Sequence, residues 1–88
     1  MGSLPFDREE GLTQHAVLDH ILIEYPIHLT VSELVSELAT DPDDFGQRDA
    51  VERAIQELTR VRLLYRHGPF VLPSRAALYV SQLWNEYV

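Results

Sequence analysis

Every Lys/Arg-class side chain in this sequence is an arginine, and six of the seven, Arg48, Arg53, Arg60, Arg62, Arg66 and Arg75, fall within residues 45–75. The guanidinium group is a planar fork of donors that pairs two-pronged with a phosphate, a carboxylate or the edge of a guanine. The same segment holds only Asp49, Glu52 and Glu57 as acids, so its formal charge is +3, while residues 1–44 hold Arg8 against ten carboxylates, for −9. With Glu86 the whole chain carries −7. A basic piece on an acidic protein marks a place where an anionic partner can bind. The overall sign opposes non-specific attraction to nucleic acid, so any such contact has to be local.

Other reactive types are thinly spread. His15 and His20 are five residues apart and do not share a helix face as a metal pair would. His15 with Asp19 and His20 with Glu24 have i, i+4 spacing, which predicts surface pairs. Asp41, Asp43, Gly46 and Glu52 coincide with positions 1, 3, 6 and 12 of a calcium-loop pattern, but Phe45 stands where a ligand is required. An acidic turn ahead of a helix N-terminus accounts for the same residues, since carboxylates are stabilised there. The sequence has no cysteine, no G-x-S-x-G, no phosphate-binding loop and no G-x-G-x-x-G. A chain of 88 residues has little material to wall off a water-excluding pocket. These features predict a protein that is not an enzyme and uses neither metal nor cofactor.

The bulk figures describe one small globular domain: 45% hydrophobic and 24% charged residues. No apolar run reaches the ~18 residues of a membrane span. The first ten residues are acidic and lack the layout of a signal peptide. With no cysteine to form disulfides, the expected compartment is the cytoplasm.

Five prolines punctuate the chain, at positions 5, 26, 42, 69 and 73, each between periodic stretches. Residues 11–25 carry Leu12, Ala16, Val17, Ile21, Leu22 and Tyr25 at helical spacing, with Asp7 or Thr13 as candidate caps. Ile27-His28-Leu29 is a short extended piece. Thr30 and Glu33 have capping-box spacing and open a second helix, whose inner face is Leu34, Val35 and Leu38. The acidic turn 40–46 precedes a third helix at about residues 47–62, striped by Val51, Ala54, Ile55, Leu58 and Val61. Asp49 and Glu52 form a second candidate capping pair there. Residues 63–66 and 69–73 read as two short strands around His67-Gly68, with the prolines confining the second strand to an edge or placing them at its ends. Ser74 then caps a last helix striped by Ala76, Ala77, Val80, Leu83, Trp84 and Tyr87. The expected core is Leu18, Ile21, Leu22, Leu34, Leu38, Val51, Ile55, Leu58, Leu64, Val71 and Val80.

The order helix, short strand, helix, helix, strand, strand, helix, carried by LTVSELVSELA (29–39) and DAVERAIQELTRVRLLYRHGPFVLP (49–73), resembles a small winged helix-turn-helix domain of the bacterial type. In that family the second helix often begins Thr-x-x-Glu-Leu, and the third often ends in the Leu-x-x-x-x-Leu-Leu phrase seen at Leu58 to Leu64. Two departures stand out: Arg62 occupies a turn where glycine is common, and the wing is very short. The resemblance implies an α+β, mostly helical fold with a three-helix core, a β-hairpin wing and an extra C-terminal helix. It would cover residues 11–88, behind a flexible arm at 1–10. By analogy the third helix would enter the major groove of double-stranded DNA in a small transcriptional regulator. Arg53, Gln56 and Arg60 would read bases; Arg48, Arg66, His67 and Arg75 would hold phosphates. Leu83, Trp84, Tyr87 and Val88 would form a dimer or partner interface.

Two simpler readings compete. Asp49–Arg53 and Glu57–Arg60 have pair spacing, and a solvated face needs no partner. Trp84 could pack back on the first helix and close the core. The alternative function is a winged-helix module for protein contact that binds no DNA and meets a partner with a basic surface. The discriminating observation is whether Arg53, Arg60 and Arg66 join in one positive strip or are separately paired.

Overall fold

In the computed structural model, which describes residues 8–41 and 43–86, the chain runs α1 (Arg8–Glu24), β1 (Leu29–Thr30), α2 (Val31–Leu38), α3 (Phe45–Arg60), β2 (Leu64–His67), β3 (Phe70–Pro73) and α4 (Arg75–Glu86). Four helices and one antiparallel three-stranded sheet make an α+β fold. Among the described residues no helix is long and apolar enough to cross a membrane.

Local chemistry explains most of the boundaries. Thr30 Oγ1 accepts from the Glu33 N–H at 3.1 Å and the Thr30 N–H donates to Glu33 Oε1 at 3.0 Å, so the capping box that starts α2 is complete. Ser74 Oγ accepts from the Ala77 N–H at 3.2 Å and starts α4. The start of α3 differs from expectation. Asp44, not Asp49, is the cap, accepting from the Gly46 and Gln47 N–H groups at 2.9 and 3.2 Å, so the helix begins at Phe45. Asp44 prevails because its backbone is extended while Asp49 lies inside the helix. The start of α1 also moves. Residues 8–10 are helical, not part of an arm, and Thr13 sits inside the helix with its hydroxyl donating to the Glu9 carbonyl at 3.0 Å. Asp7 lies outside the described residues.

α3 ends in a two-bond cap. The Leu63 N–H reaches back to the Leu58 carbonyl at 2.9 Å and the Arg62 N–H to the Thr59 carbonyl at 3.1 Å. That pattern requires a left-handed residue between helix and strand, and Arg62 takes it with φ 67°. The departure noted in the sequence is therefore a conformational one: an arginine holds a glycine's position.

β1 pairs with β3 through Leu29↔Val71 and Thr30↔Phe70, and β2 pairs with β3 through Leu64↔Pro73 to His67↔Phe70. The order β1-β3-β2 makes β3 the central strand, with Pro73 at its end. Its missing N–H thus costs no interior ladder bond. The hairpin turns on Gly68 (φ 60°) and Pro69, the positive φ that two-residue hairpin loops demand. β1 shares only Leu29 with the extended piece expected at 27–29, and Thr30, expected only to open α2, is its second residue.

α1 lies along α3, α2 crosses the start of α3, and the sheet closes the remaining side. Val17, Ile21, Leu29, Leu34, Val35, Val51, Ala54, Ile55, Leu58, Leu64 and Val71 are buried together, with Leu18, Leu38 and Leu63 packed against them. Two expected core residues are not in the cluster: Leu22 is only partly buried, and Val80 is 59% exposed. α4 leaves the sheet after its first turn and buries only Ala77 fully.

Candidate functional site

α3 has a three-way division of labour. Val51, Ala54, Ile55 and Leu58 face the core. On the side toward α1, Arg53, Gln56 and Arg60 line a cleft of about 670 Å³ together with Glu9, Glu10 and Glu57. On the side toward α2, Arg48 and Glu52 line a separate groove with Val31, Ser32, Val35 and Thr40. The basic residues expected to act together are therefore divided. Arg53, Gln56 and Arg60 meet; Arg48 lies on another flank; Arg66 and His67 stand exposed on the hairpin; Arg75 opens α4.

The cleft is not a positive strip. Arg60 donates from Nε to Glu57 Oε2 at 2.9 Å and from Nη2 to Oε1 at 2.5 Å, a two-pronged pair within one helix. The hydrogen bonds from Arg60, and then its charge, hold the Glu57 carboxyl below its ordinary value of 4.5. The same partner holds the Arg60 proton more tightly. Arg53 shares its cleft with three carboxylates. The i, i+4 pair expected between Asp49 and Arg53 does not form; the i, i+3 pair does.

The acidic turn is wired internally. Asp41 Oδ1 accepts from the Asp43 N–H at 3.0 Å, and Gln47 Oε1 accepts from the Asp41 N–H at 3.1 Å and the Thr40 hydroxyl at 3.2 Å. Of the carboxylates that mimic a calcium loop, Asp41 accepts from the chain's own backbone, and the neighbouring Asp44 caps α3. Among the described residues no group of three His, Cys, Asp or Glu side chains is placed to hold a metal ion.

His20 departs from the expected pair with Glu24. Its Nε2 lies 2.6 Å from Glu37 Oε2 on α2, so it bridges two helices. The carboxylate is close, and the buried Nε2 makes no regular hydrogen bond. Sequence reasoning missed this contact because it joins residues 17 positions apart, and only the α1–α2 packing brings them together.

The second candidate surface is the outer side of α4. Trp84 is 72% exposed, Tyr79 64%, Val80 59% and Leu83 39%. Trp84 does not pack back to close the core. Tyr87 and Val88, expected on the same face, lie outside the described residues. Compared with known proteins, the chain matches no family model, no curated protein and no solved structure.

Proposed function

We propose that this chain is a non-catalytic module of winged-helix type that works by protein contact, with the outer face of α4 as its docking surface. The strand order β1-β3-β2, in which a short strand ahead of α2 closes on the hairpin after α3, supports the winged-helix part of this reading. The docking part rests on one observation: a helix with a well-formed apolar stripe leaves Tyr79, Val80, Leu83 and Trp84 in solvent. Trp and Tyr are the side chains that most often dominate binding energy at protein interfaces. A partner with a basic rim would complement the chain's charge of −7.

An apolar fluorescent probe tests the reading on dilute protein. The wild type should enhance probe emission, and Val80→Glu should remove most of that enhancement while circular dichroism stays unchanged. Equal emission from the two proteins would show that α4 offers no apolar face and would sink the reading.

A second reading, a DNA-binding transcriptional regulator, is favoured by the exposure of Arg53, Gln56 and Arg60 on the outward side of α3, beside a hairpin that presents Arg66 and His67. Against it stand Glu57's hold on Arg60 and the carboxylates of the cleft. Selection from random duplexes at about 50 mM salt decides, because weak phosphate contacts still register there. Retention weakened by Arg53→Ala and Arg60→Ala would establish it; no retained duplex would end it.

A further inference from the structure

The sheet has an edge that the described chain leaves open. In the order β1-β3-β2, β2 pairs on one side only. The hydrogen-bond phase says which backbone groups its free side presents. The Ser74 N–H donates to the Leu63 carbonyl at 2.9 Å. In an antiparallel ladder, opposed residues exchange bonds at every second position. Tyr65 and His67, opposite Leu72 and Phe70, therefore turn their backbone groups toward β3. Arg66, between them, turns its N–H and C=O outward. Tyr65, Arg66 and His67 are all exposed, so this stretch of the edge stands in solvent. The charge around it is one-sided. Residues 58–85 hold Arg60, Arg62, Arg66 and Arg75 and no carboxylate. Arg60 is taken by Glu57, but Arg62, just before the strand, and Arg66, within it, form no ion pair among the described residues.

We propose that the β2 edge takes up an extended acidic segment of another protein as a fourth strand. This contact uses the sheet and not α4, so it goes beyond the docking reading above and does not depend on it. An outward N–H and C=O on one strand residue are matched by the backbone of a second strand. A nucleic acid has no such backbone, and the chain's charge of −7 opposes a polyanion at longer range. Acidic side chains on the incoming strand lie beside Arg62 and Arg66, and opposite charges on neighbouring strands stabilise the pairing. A second copy of this chain offering the same edge sets those arginines against their own kind, which is unfavourable. Charged side chains on an edge strand ordinarily guard it against indiscriminate pairing. Here the guard has one sign, so it refuses neutral and basic strands and admits an acidic one. Only a short stretch of edge takes part, so the complex is weak and salt-sensitive.

Amide NMR of the full chain tests this, with a blocked peptide of alternating glutamate and valine, about six residues long, as the probe. In the free protein the Arg66 amide should exchange with solvent faster than those of Tyr65 and His67. Added peptide, titrated to about 1 mM at about 50 mM salt, should shift the Arg66 resonance and slow its exchange about ten-fold. Arg66→Gln keeps the backbone and loses the charge, and should weaken binding about three-fold. The same peptide with every backbone nitrogen methylated keeps its charge and loses its donors, and should bind at least about ten-fold more weakly. A peptide of alternating lysine and valine should not bind. An Arg66 amide that the acidic peptide leaves unmoved overturns the proposal. Equal binding by the methylated peptide does so too, because charge alone would then explain the contact. So does a DNA oligonucleotide that shifts Arg66 at lower concentration than the peptide, which would hand the edge arginines to the DNA reading. Val80→Glu separates this site from α4. It should bind the peptide as the wild type does, and a loss of binding there would move the segment to α4 and remove it from the edge.

Discussion

α3 and α4 are built to the same recipe and end in opposite circumstances. Each is amphipathic and each starts from an oxygen-bearing cap, Asp44 or Ser74. α3 finds α1, α2 and the sheet around it, and Val51, Ala54, Ile55 and Leu58 all fall to 4% exposure or less. α4 finds β3 for one turn, buries Ala77, and then runs on with Val80 and Trp84 in solvent. An apolar stripe says that a helix has something to bury; where the covering surface comes from is a separate matter. In α3 the cover is the same chain. In α4 the described residues cover Ala77 and leave Tyr79, Val80 and Trp84 exposed.

Truncation at matching positions on the two helices exposes that difference most strongly. Leu58→Ala or Ile55→Ala opens a cavity among residues that cannot collapse into it, and should lower unfolding free energy by about 3 kcal/mol. Val80→Ala, at a concentration where the chain is monomeric, should change it by less than about 0.5 kcal/mol. Urea unfolding followed by circular dichroism measures both. Comparable losses at Leu58 and Val80 would mean that α4 packs against the domain in solution, and the contrast would disappear.

The caps give the next effect. Thr30→Ala removes the acceptor for the Glu33 N–H and half of a reciprocal pair, and should cost about 1 kcal/mol. Thr30 also lies in β1, so the same change loosens the strand that closes on β3. Loss of protection at the Glu33 amide in hydrogen exchange, with α4 unaffected, would locate the damage. Arg62→Gly acts in the other direction. A non-glycine residue in the left-handed region costs about 1–2 kcal/mol, part of which is returned because glycine loses more freedom on folding. A net gain of roughly 0.5–1 kcal/mol is expected. A loss would mean that the Arg62 side chain contributes more to the fold than its exposed position implies.

Such positions also mark what could be read before any coordinates. Thr30 and Glu33, the α3 stripe from Val51 to Leu58, Ser74, and the Gly68 turn were all legible, because each is a rule acting within four or five residues; Val61, expected to continue that stripe, lies past the helix end and is exposed. Legibility stops where a residue's fate depends on a distant one. Nothing near Val80 says that the sheet ends before the helix does. Nothing near His20 singles out Glu37 over Glu24, the local partner at ideal spacing. The start of α3 was misplaced for a related reason: Phe45 is 72% exposed, so the first turn of that helix carries no apolar signal, and periodicity picks the helix up only at Val51. The arginine cluster was visible as composition, but composition is blind to which flank of a helix each residue occupies. Its members divide between two grooves, the turn that ends α3, the hairpin and the start of α4, and one of the exposed guanidinium groups is held by a neighbour's carboxylate.

That held arginine gives the smallest effect and the sharpest check on α3's outward face. Glu57 titrates below its ordinary value of 4.5 because Arg60 donates to it on both oxygens. A carboxyl whose folded pKa is depressed contributes stability that is fully present above its unfolded pKa and is lost as pH falls through the folded one. The pair's contribution should therefore be intact at neutral pH and disappear on acidification below about 4.5. Carbon-detected NMR of the Glu57 carboxyl should show a midpoint below 4.5, and Arg60→Ala should return it to the ordinary range. Because both side chains face solvent, added salt should move the midpoint back as well. A Glu57 midpoint that ignores both Arg60→Ala and salt would mean that Arg60 is not engaged in solution. It would then be available to a phosphate, and the second reading of α3 would regain the residue it most lacks.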